Sequence, residues 1–413
     1  MNANLRRDRP ATFRSLQHRE FRLLWGGLII SAVGTWMQIV AQSLLVLQLT
    51  HGSAFALGVV SLAQALAFFV FALVGGGFAD RLDRKRLLLT TQSLLMVLAF
   101  LMGILTVTGV IRVWMIVGIA FFSGTALSFD QPTRAALISS LVPREDLLNA
   151  ISLQSVIFNS ASMLGPALAG FLIHTAGLPA NFFLNGLSFV PVLAGLVLIS
   201  PPKFLSPKHQ PRLMAQIGEA LATVKRDAIL AWVLFSYGML LFSGPSLPLL
   251  LPVLAVDRLH IDARTLGLLF SAAGAGAVVG AVFLASIRDT GRKSLILFAS
   301  FAIWSISFVF IGISRILGVT FVALVAVGMS QSVIGAIGST LLQTRVPHEQ
   351  RGRVMSLNTL LIMGIRPSGD FPAAVLISFC GAPFTTALSA TVVGLAALLF
   401  FSRRGAFKAA QNF

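Results

Sequence analysis

The chain contains 413 residues, of which 56% are hydrophobic and only 11% are charged, and its mean hydropathy is +0.88. A water-soluble globule of this length needs far more charged residues on its surface. The formal net charge of +17 is of the kind seen in nucleic-acid-binding proteins, but no basic module with interleaved aromatic residues accompanies it. The composition therefore excludes a soluble globule and argues against nucleic acid as a partner.

Twelve continuous apolar segments follow one another along the chain, and each is about long enough for a helix that crosses a bilayer, which takes ~20 residues. Continuous runs predict helices rather than barrel strands, which would alternate in hydropathy over ~10 residues. The sequence therefore predicts an all-α membrane protein with twelve transmembrane helices. The predicted spans are residues 23–47, 57–78, 87–108, 113–136, 151–175, 182–199, 228–254, 266–287, 295–313, 317–341, 354–379 and 386–401.

Most of the 31 lysine and arginine residues lie in the N-terminal arm, in loops after even-numbered spans and in the tail. The predicted loops on the opposite side hold Arg112, Arg258, Arg264 and Arg315. This positive-inside asymmetry predicts a multi-pass protein of the cell (inner) membrane with both termini in the cytoplasm. The first 22 residues lack an apolar core and a cleavage site, so we expect the first span to be an uncleaved anchor.

The polar segment 200–227 divides the spans into two groups of six. Its apolar residues recur at spacings of three and four from Leu213 to Val224, which predicts a short amphipathic helix at the membrane surface; a disordered linker is the alternative. The expected units are a cytoplasmic arm (1–22), an N-terminal six-helix bundle (23–199), this cytoplasmic linker (200–227), a C-terminal six-helix bundle (228–401) and a cytoplasmic tail (402–413).

The two groups of spans resemble each other in sequence. The segment 141–145 (LVPRE) after span four corresponds to 345–349 (RVPHE) after span ten, and the charged loop at 80–85 corresponds to the one at 288–293. Six spans per half is an even number, so both halves insert with the same orientation. The sequence therefore predicts a parallel repeat about an axis along the membrane normal.

The loop 76–86 (GGFADRLDRKR) matches the signature G-x-x-x-D-R-x-G-R-R/K and departs from it only at Asp83, where the signature has glycine. With the parallel repeat, this loop resembles the major facilitator superfamily. Further segments resemble its enterobactin-exporter-like branch, also described as transmembrane secretion effectors. These segments are 34–38 (GTWMQ), 130–134 (DQPTR), 142–143 (VP), 165–166 (GP) and 351–355 (RGRVM).

The resemblance implies a monomeric secondary transporter that works by alternating access on a small molecule. It also implies a conformational lock, in which Asp80 caps span eleven and Arg84 pairs with the acid of span four, Asp130. The alternative to the lock is that Asp80 and the arginines only set the topology and keep the loop in water. Asp130 has a second possible role as a proton carrier, since an acid within a span is a functional candidate. The residues assigned to the lock are Gly76, Asp80, Arg81, Arg84, Asp130 and Arg134, the last of which is one turn beyond Asp130.

Arg366 and Asp370 lie near the middle of span eleven, where a lone charge is costly. Their i, i+4 spacing places them on one face of the helix, where they can neutralise each other. Two interpretations stay open. In one, Asp370 couples transport to protons and Arg366 tunes that acid or binds an anionic group of the substrate. In the other, the two form a permanently paired couple that only packs the helix.

Amides in spans one and five predict a polar cavity wall. Gln38 and Gln42 lie one turn apart and are the best ligand candidates, with Asn159 in span five; packing between helices is the alternative for each. Span five also contains Gly165-Pro166 and Gly170. This pattern resembles the antiporter motif of the superfamily apart from Ala169, and the resemblance favours export.

No cofactor is expected, because the chain lacks the nucleotide-binding pattern G-x-x-x-x-G-K-[ST]. The six histidines are scattered, so no metal site is expected. The predicted function is proton-coupled export of a small amphipathic compound, a siderophore or a drug, and not an enzymatic activity. The partners would be this substrate, protons and membrane lipid. The alternatives are an uptake permease for a metabolite and a transport-dead sensor or assembly partner.

Overall fold

The computed structural model describes residues 11–79, 83–143, 145–200, 213–287, 293–346, 354 and 365–402. These residues are almost entirely helical, as a membrane-spanning chain must be when its backbone groups find no water. A 3-10 turn at Ala11–Gln17 precedes the first span, and a π-helical turn at Ala255–Leu259 follows α9. The helices are α1 Arg19–Leu49, α2 Ala54–Ala79, α3 Arg84–Val107, α4 Val113–Leu141, α5 Leu147–Ala176, α6 Leu178–Leu198, α7 Leu213–Arg226, α8 Ala228–Ser243, α9 Leu247–Leu254, α10 Ala263–Ser286, α11 Lys293–Ile313, α12 Leu317–Arg345 and α13 Arg366–Ser402.

Eleven helices within the described residues are long and apolar enough to cross a membrane. The last of them lies in α13, which breaks at Gly381, where φ is 81° and ψ is 162°. A positive φ of this kind favours glycine. The break divides α13 into two arms that correspond to predicted spans eleven and twelve. Of span eleven, the structure describes residue 354 and the part from 365 onward. The predicted all-α membrane fold is confirmed.

Local structure answers two questions that the sequence left open, one about the linker and one about Asp83. The linker forms helix α7 at Leu213–Arg226, as the amphipathic pattern predicts. Asp83, the departure from glycine in the signature loop, has φ of −61° and therefore does not need glycine. Its carboxylate accepts a hydrogen bond of 2.9 Å from the backbone N–H of Arg86 and caps the N-terminus of α3.

The spans form two halves of similar construction. In the first, α1 packs against α5 and α6, while α3 packs against α4 and α6, and α2 lies on α4. In the second, α12 packs against α10 and α11, while α13 lies on α8 and α11. Between the halves, α5 packs on α10 and α2 packs on α13. A shift of six spans exchanges these two contacts, as a parallel repeat requires.

Successive spans alternate in direction, so the structure has two ends, which we call the terminal and distal faces. The terminal face carries the beginning of α1, the start of α3, the α4–α5 connection, the starts of α8 and α11, and the ends of α6, α12 and α13. The distal face carries the remaining connections. They are residues 50–53, 108–112, 177, 255–262, 314–316 and 381.

Close contacts between the halves extend from mid-span to the distal face. The Ser271 hydroxyl of α10 donates a 2.6 Å hydrogen bond to the Met163 carbonyl of α5. A Cβ atom on Gly274 would lie 2.5 Å from the Cα of Met163, and one on Gly170 would lie 2.5 Å from the carbonyl oxygen of Ala263. Small residues at these positions let the helix backbones meet.

Candidate transport pathway

The seventh span is broken in the middle. Helix α8 ends at Ser243 and α9 begins at Leu247, so Gly244, Pro245 and Ser246 interrupt the helix. A proline has no backbone N–H and cannot continue the hydrogen-bond pattern of α8. The backbone groups that this break frees lie inside the membrane, where they need partners from neighbouring helices.

Asp370 of α13 and Ser389, beyond the Gly381 break, supply these partners. The Asp370 carboxylate is only 5% exposed. It accepts a 2.7 Å hydrogen bond from the Ser246 backbone N–H and a 2.8 Å bond from the Ser246 hydroxyl. On the other side of the break, the Ser389 hydroxyl donates a 2.5 Å hydrogen bond to the Ser243 carbonyl. Asp370 therefore holds the start of α9 with a charged group.

The same segment of α13 forms the contact with the first half of the molecule. Ser61 of α2 lies beside the Asp370 carboxylate, and Gly58 of α2 packs directly against the Cβ of Ala374. On the same two helices, the rings of Phe55 and Phe371 have centroids 5.8 Å apart. Asp370 thus lies where the broken span, α13 and the opposite half meet.

The direct pair between Arg366 and Asp370 that the i, i+4 spacing suggests is not formed. Among the described residues, none makes an ion pair or a hydrogen bond with the partly exposed Arg366. Its guanidinium acts electrostatically on Asp370 and on Tyr237 of α8. The hydrogen-bond partner of Asp370 is Ser246 rather than Arg366, because the helix break places two donors directly at the carboxylate.

An apolar cleft of about 400 Å³ lies between α2, α8 and α13. Its lining residues Phe235 and Phe242 are about half exposed, so the cleft is open to the surface of the structure. The lining residues are Phe69, Leu234, Phe235, Gly238, Met239, Phe242, Ile365 and Ser368.

Asp130, the acid of span four, lies in a different environment. It is fully buried between α3 and α4, where it accepts hydrogen bonds of 3.0 Å from Thr91 and 2.6 Å from Gln92. Arg134 forms an ion pair with the same carboxylate, as the i, i+4 spacing suggests. All these partners belong to one half.

Arg84 donates a 3.0 Å hydrogen bond to the carbonyl oxygen of Ala136 near the end of α4. Asp80 and Arg81 lie outside the described residues, and Gly76 belongs to α2. The lock expected from these residues therefore stays a prediction.

Gln38 faces α6 of its own half. Its amide oxygen accepts a 2.6 Å hydrogen bond from Asn185, whose oxygen in turn accepts a bond from Ser188. This contact corresponds to the packing alternative for Gln38. Gln42, one turn further along α1, and Asn159 of α5 are partly exposed, and their roles in binding a substrate stay predictions.

The antiporter-like segment of α5 packs against two helices at once. A Cβ atom on Gly165 would lie 2.5 Å from the Cβ of Trp36 in α1. The Pro166 carbonyl lies directly against Gly267 of α10, and Gly170 lies against the beginning of the same helix. The motif therefore brings α5 close to the opposite half near the distal face.

The terminal face also contains an ionic cluster that the sequence did not predict. Asp146, just before α5, is bonded to His18 at 2.7 Å and to Arg14 at 3.0 Å. The hydrogen bond from His18, together with the charge of Arg14, lowers the pKa of Asp146 below its ordinary value. The Ser15 N–H also donates a 2.9 Å bond to Asn149. The arm is thereby fixed to α5.

The fold is that of known transporters. The chain matches a bacterial homologue of the human lysosomal transporter Spinster in an inward-facing, unoccupied conformation, with a TM-score of 0.71, 12% identity and coverage of 93% of this chain and 96% of that one. It also matches a bacterial homologue of the iron transporter ferroportin, in an inward-facing state, with a TM-score of 0.70, 18% identity and coverage of 93% and 98%. At 12% and 18% identity these likenesses show the fold, which this chain shares with known transporters.

Sequence comparison narrows this class. The chain is 26% identical over 387 residues to the enterobactin exporter EntS of Citrobacter koseri, which covers 91% of this chain and 89% of that exporter. It is 27% identical over 393 residues to EntS of Escherichia coli O1:K1, with coverage of 92% and 90%. The profile of the family described as transmembrane secretion effector matches residues 10–411. The chain belongs to this family and is therefore a transporter of the major facilitator superfamily and not an enzyme. As a transporter it acts on a small molecule.

Proposed function

We propose that this protein exports a siderophore or another small amphipathic compound in exchange for protons. The relatives named enterobactin exporters support the direction and the class of cargo. The observation that carries the coupling is the Asp370 carboxylate, buried at the contact between the halves and bonded to both donors of Ser246. The excess of Lys and Arg in the loops of the terminal face supports the assignment of that face to the cytoplasm.

In this scheme, the described conformation is closed at the distal face and ready to load cargo from the cytoplasm. The two Ser246 donors stabilise Asp370 as a carboxylate. Hydrogen bonds to a charged group contribute about 1.5–3 kcal/mol each, so about 3 kcal/mol in total would favour the closed distal face whenever Asp370 is ionised. A difference of this size changes the ratio of two conformations about 100-fold.

When the distal face opens, the first arm of α13 bends away from α9 within the second half, and Asp370 loses these donors. The carboxylate then takes a proton from the periplasmic side, because an ionised acid without partners is costly inside the membrane. Closure returns the neutral carboxyl group to Ser246, and the proton leaves toward the cytoplasmic side. Asp370 thus alternates between two environments, as the coupling group of a two-state transporter should.

The lock at the terminal face completes the proposed cycle. Asp80 and Arg84 would close that face when the distal face is open, with Asp130 and Arg134 fixing the end of α4 to which Arg84 is bonded. The bond between Arg84 and the Ala136 carbonyl supports this role, since it already places Arg84 against the end of α4.

Reconstituted vesicles with an imposed pH gradient test this proposal. Enterobactin and a lipophilic fluorescent dye serve as probes, and a pH indicator inside the vesicles reports proton movement. We expect cargo-dependent proton flux from the wild type and none from Asp370→Asn, whose cargo binding should persist. Asp262→Asn is the matched control, because Asp262 caps α10 by bonding Thr265 at 3.0 Å and asparagine caps equally well. Unchanged flux in Asp370→Asn would contradict the proposal.

A further inference from the structure

Asn181, near the beginning of α6, has a buried amide group without a partner. The residue is 0% exposed, and neither its side-chain oxygen nor its side-chain nitrogen forms a hydrogen bond with any described residue. Nearly all buried amides are hydrogen-bonded, because taking an amide out of water without a partner is costly. The described conformation therefore carries a cost that a different position of a neighbouring polar side chain would remove.

The packing of α1 against α6 identifies that neighbour. The Asn185 Nδ2 donates a 2.6 Å hydrogen bond to the Gln38 Oε1, and a Cβ atom on Gly34 would lie 2.8 Å from the Asn185 Oδ1. The two helices run in opposite directions, and residues four apart share one face of a helix. One turn nearer the distal face on each helix, the same register therefore brings Gln42 opposite Asn181. These two residues have the positions of a second amide pair, whose hydrogen bond is not formed.

The Gln42 amide is available to a ligand in the described conformation. It is partly exposed and forms no hydrogen bond among the described residues. It lies two turns beyond Thr35, which is exposed, whereas Trp36 faces α5 from another side of α1. Helix α9 of the opposite half also packs against α1. The surroundings of α1 therefore change when the halves separate, while the packing of α1 on α6 lies within one half.

We infer that the Gln42 amide exchanges between two partners, and that Asn181 is the positioning residue that withdraws it from the cargo. In the described conformation, the Gln42 amide is free to bind a polar group of the cargo. When the distal face opens, this amide turns to Asn181, so the cargo loses a ligand at the stage at which it must leave. Asn181 thereby favours the distal-open conformation, because only there is its own amide bonded. The word cargo rests on the proposed export function, whereas the exchange of Gln42 between two conformations does not.

The first measurement needs no cargo. Spin labels at Val110 and Ile316, exposed distal-face residues of opposite halves, are introduced with Cys380→Ser and give the ratio of long to short distances in nanodiscs, at a pH where both are present. Asn181→Leu should lower this ratio about threefold to tenfold, the value of one hydrogen bond between neutral groups. Gln42→Leu should lower it equally. The double variant should lower it no further, because all three variants lack the same bond.

Gln38→Leu is the matched control, because it is the same substitution one turn away and removes a bond that the described conformation already contains. It should not lower the ratio of long to short distances. A cooperative thermal unfolding transition shows that each variant is folded. Additive effects of Asn181→Leu and Gln42→Leu would overturn the inference. A wild-type ratio in Asn181→Leu would also overturn it, since a buried water that serves Asn181 in every conformation gives that result.

The second measurement tests the link to the cargo. Equilibrium dialysis gives the affinity of each variant for enterobactin in the same nanodiscs, without any gradient. Asn181→Leu should bind enterobactin about threefold to tenfold more tightly than the double variant, which has the same ratio of conformations but lacks the Gln42 amide. Equal affinities would overturn the role of Gln42 as a ligand. Absence of enterobactin binding in the wild type would count against the proposed function alone, and the spin-label ratios would still decide the exchange.

Discussion

Two buried carboxylates, Asp130 and Asp370, show how the partners of a charge decide what it can do. Asp130 is enclosed within one half by Thr91, Gln92 and Arg134. Asp370 has no ion-pair partner among the described residues and is bonded to the break in span seven, beside the contact between the halves. Depth in the membrane is therefore a poor guide to function. A charge that is fully paired inside one half stabilises that half, whereas a charge that holds a helix break beside the contact between the halves can respond to conformation.

The largest effect should come from Asp130→Ala. The change leaves Arg134 without its partner and removes the acceptor for Thr91 and Gln92, and breaking a buried ion pair costs about 3–5 kcal/mol. We expect a large fall in the unfolding temperature of the detergent-solubilised protein, with the first half unfolding first. Asp83→Asn is the matched control, because Asp83 is exposed and asparagine also caps helices. A fall no larger than that of Asp370→Asn would remove the distinction between the two acids.

A tight glycine contact within one half and a tight glycine contact between the halves should respond differently when the glycine is replaced by a larger residue. Gly27 of α1 packs against Val192 within one half, whereas Gly267 packs against Pro166 across the halves. Inserting a side chain into a tight contact costs about 1–3 kcal/mol. Gly27→Val should therefore lower the unfolding temperature. Gly267→Val should instead open the distal face, because the halves can separate there, and cysteines introduced at that face should become reactive. Equal loss of stability in both variants would mean that the contact between halves is as rigid as the core.

Ser246→Ala tests the bond that holds the broken span. The variant removes the hydroxyl donor but keeps the backbone N–H, so a loss of about 1.5 kcal/mol is expected. This weakens closure of the distal face about tenfold without changing the charge of Asp370. Cysteine labelling at the distal face measures the shift, and Ser389→Ala is the control at the other side of the break. No shift in Ser246→Ala would show that the hydroxyl bond does not depend on conformation.

The smallest effect is expected from the ionic cluster at the terminal face, which Arg14, His18 and Asp146 form. The pKa of Asp146 is lowered, so its contribution to stability is complete above the ordinary pKa and disappears as the pH falls through the lowered one. Hydrogen exchange at the Ser15 N–H should therefore accelerate on acidification below about pH 4, beyond the intrinsic pH dependence of exchange. Asp146→Asn should exchange faster at neutral pH and lack this acid step. An acid step that remains in Asp146→Asn would assign it to another group. Titration of Asp146 should not change the conformation of the distal face, since the cluster lies within the first half.

The sequence predicted the transmembrane helices and their division into two groups of six, because a span can be recognised from the length and hydropathy of its segment alone. The i, i+4 spacing also allowed a pair between Asp130 and Arg134, and the structure forms it, because such a pair depends only on local helix geometry. The same spacing allowed a pair between Arg366 and Asp370, which was one of two open interpretations, and no ion pair between them is formed. Ser246 is 124 residues away in the chain, and no local pattern reveals that it competes for the carboxylate.

The other partners missed by the sequence have the same origin. The Gln38 amide is bonded to Asn185, 147 residues further along the chain, and His18 is bonded to Asp146 across 128 residues. Tertiary packing chooses among several polar groups that each lie in suitable helices. The Gly244-Pro245 pair was a visible signal for the break in span seven, although the apolar run hides it when hydropathy is averaged.

One distance measurement tests the central claim, that protonation of Asp370 opens the distal face. Spin labels at Val110 and Ile316, exposed distal-face residues of opposite halves, are introduced with Cys380→Ser to remove the native thiol. Double electron–electron resonance then measures the distance between the two spin labels in nanodiscs at about pH 8 and about pH 5. We expect the distance of the wild type to lengthen on acidification, and Asp370→Asn to show the long distance at both pH values. A distance in Asp370→Asn that follows the wild type at both pH values would contradict the account.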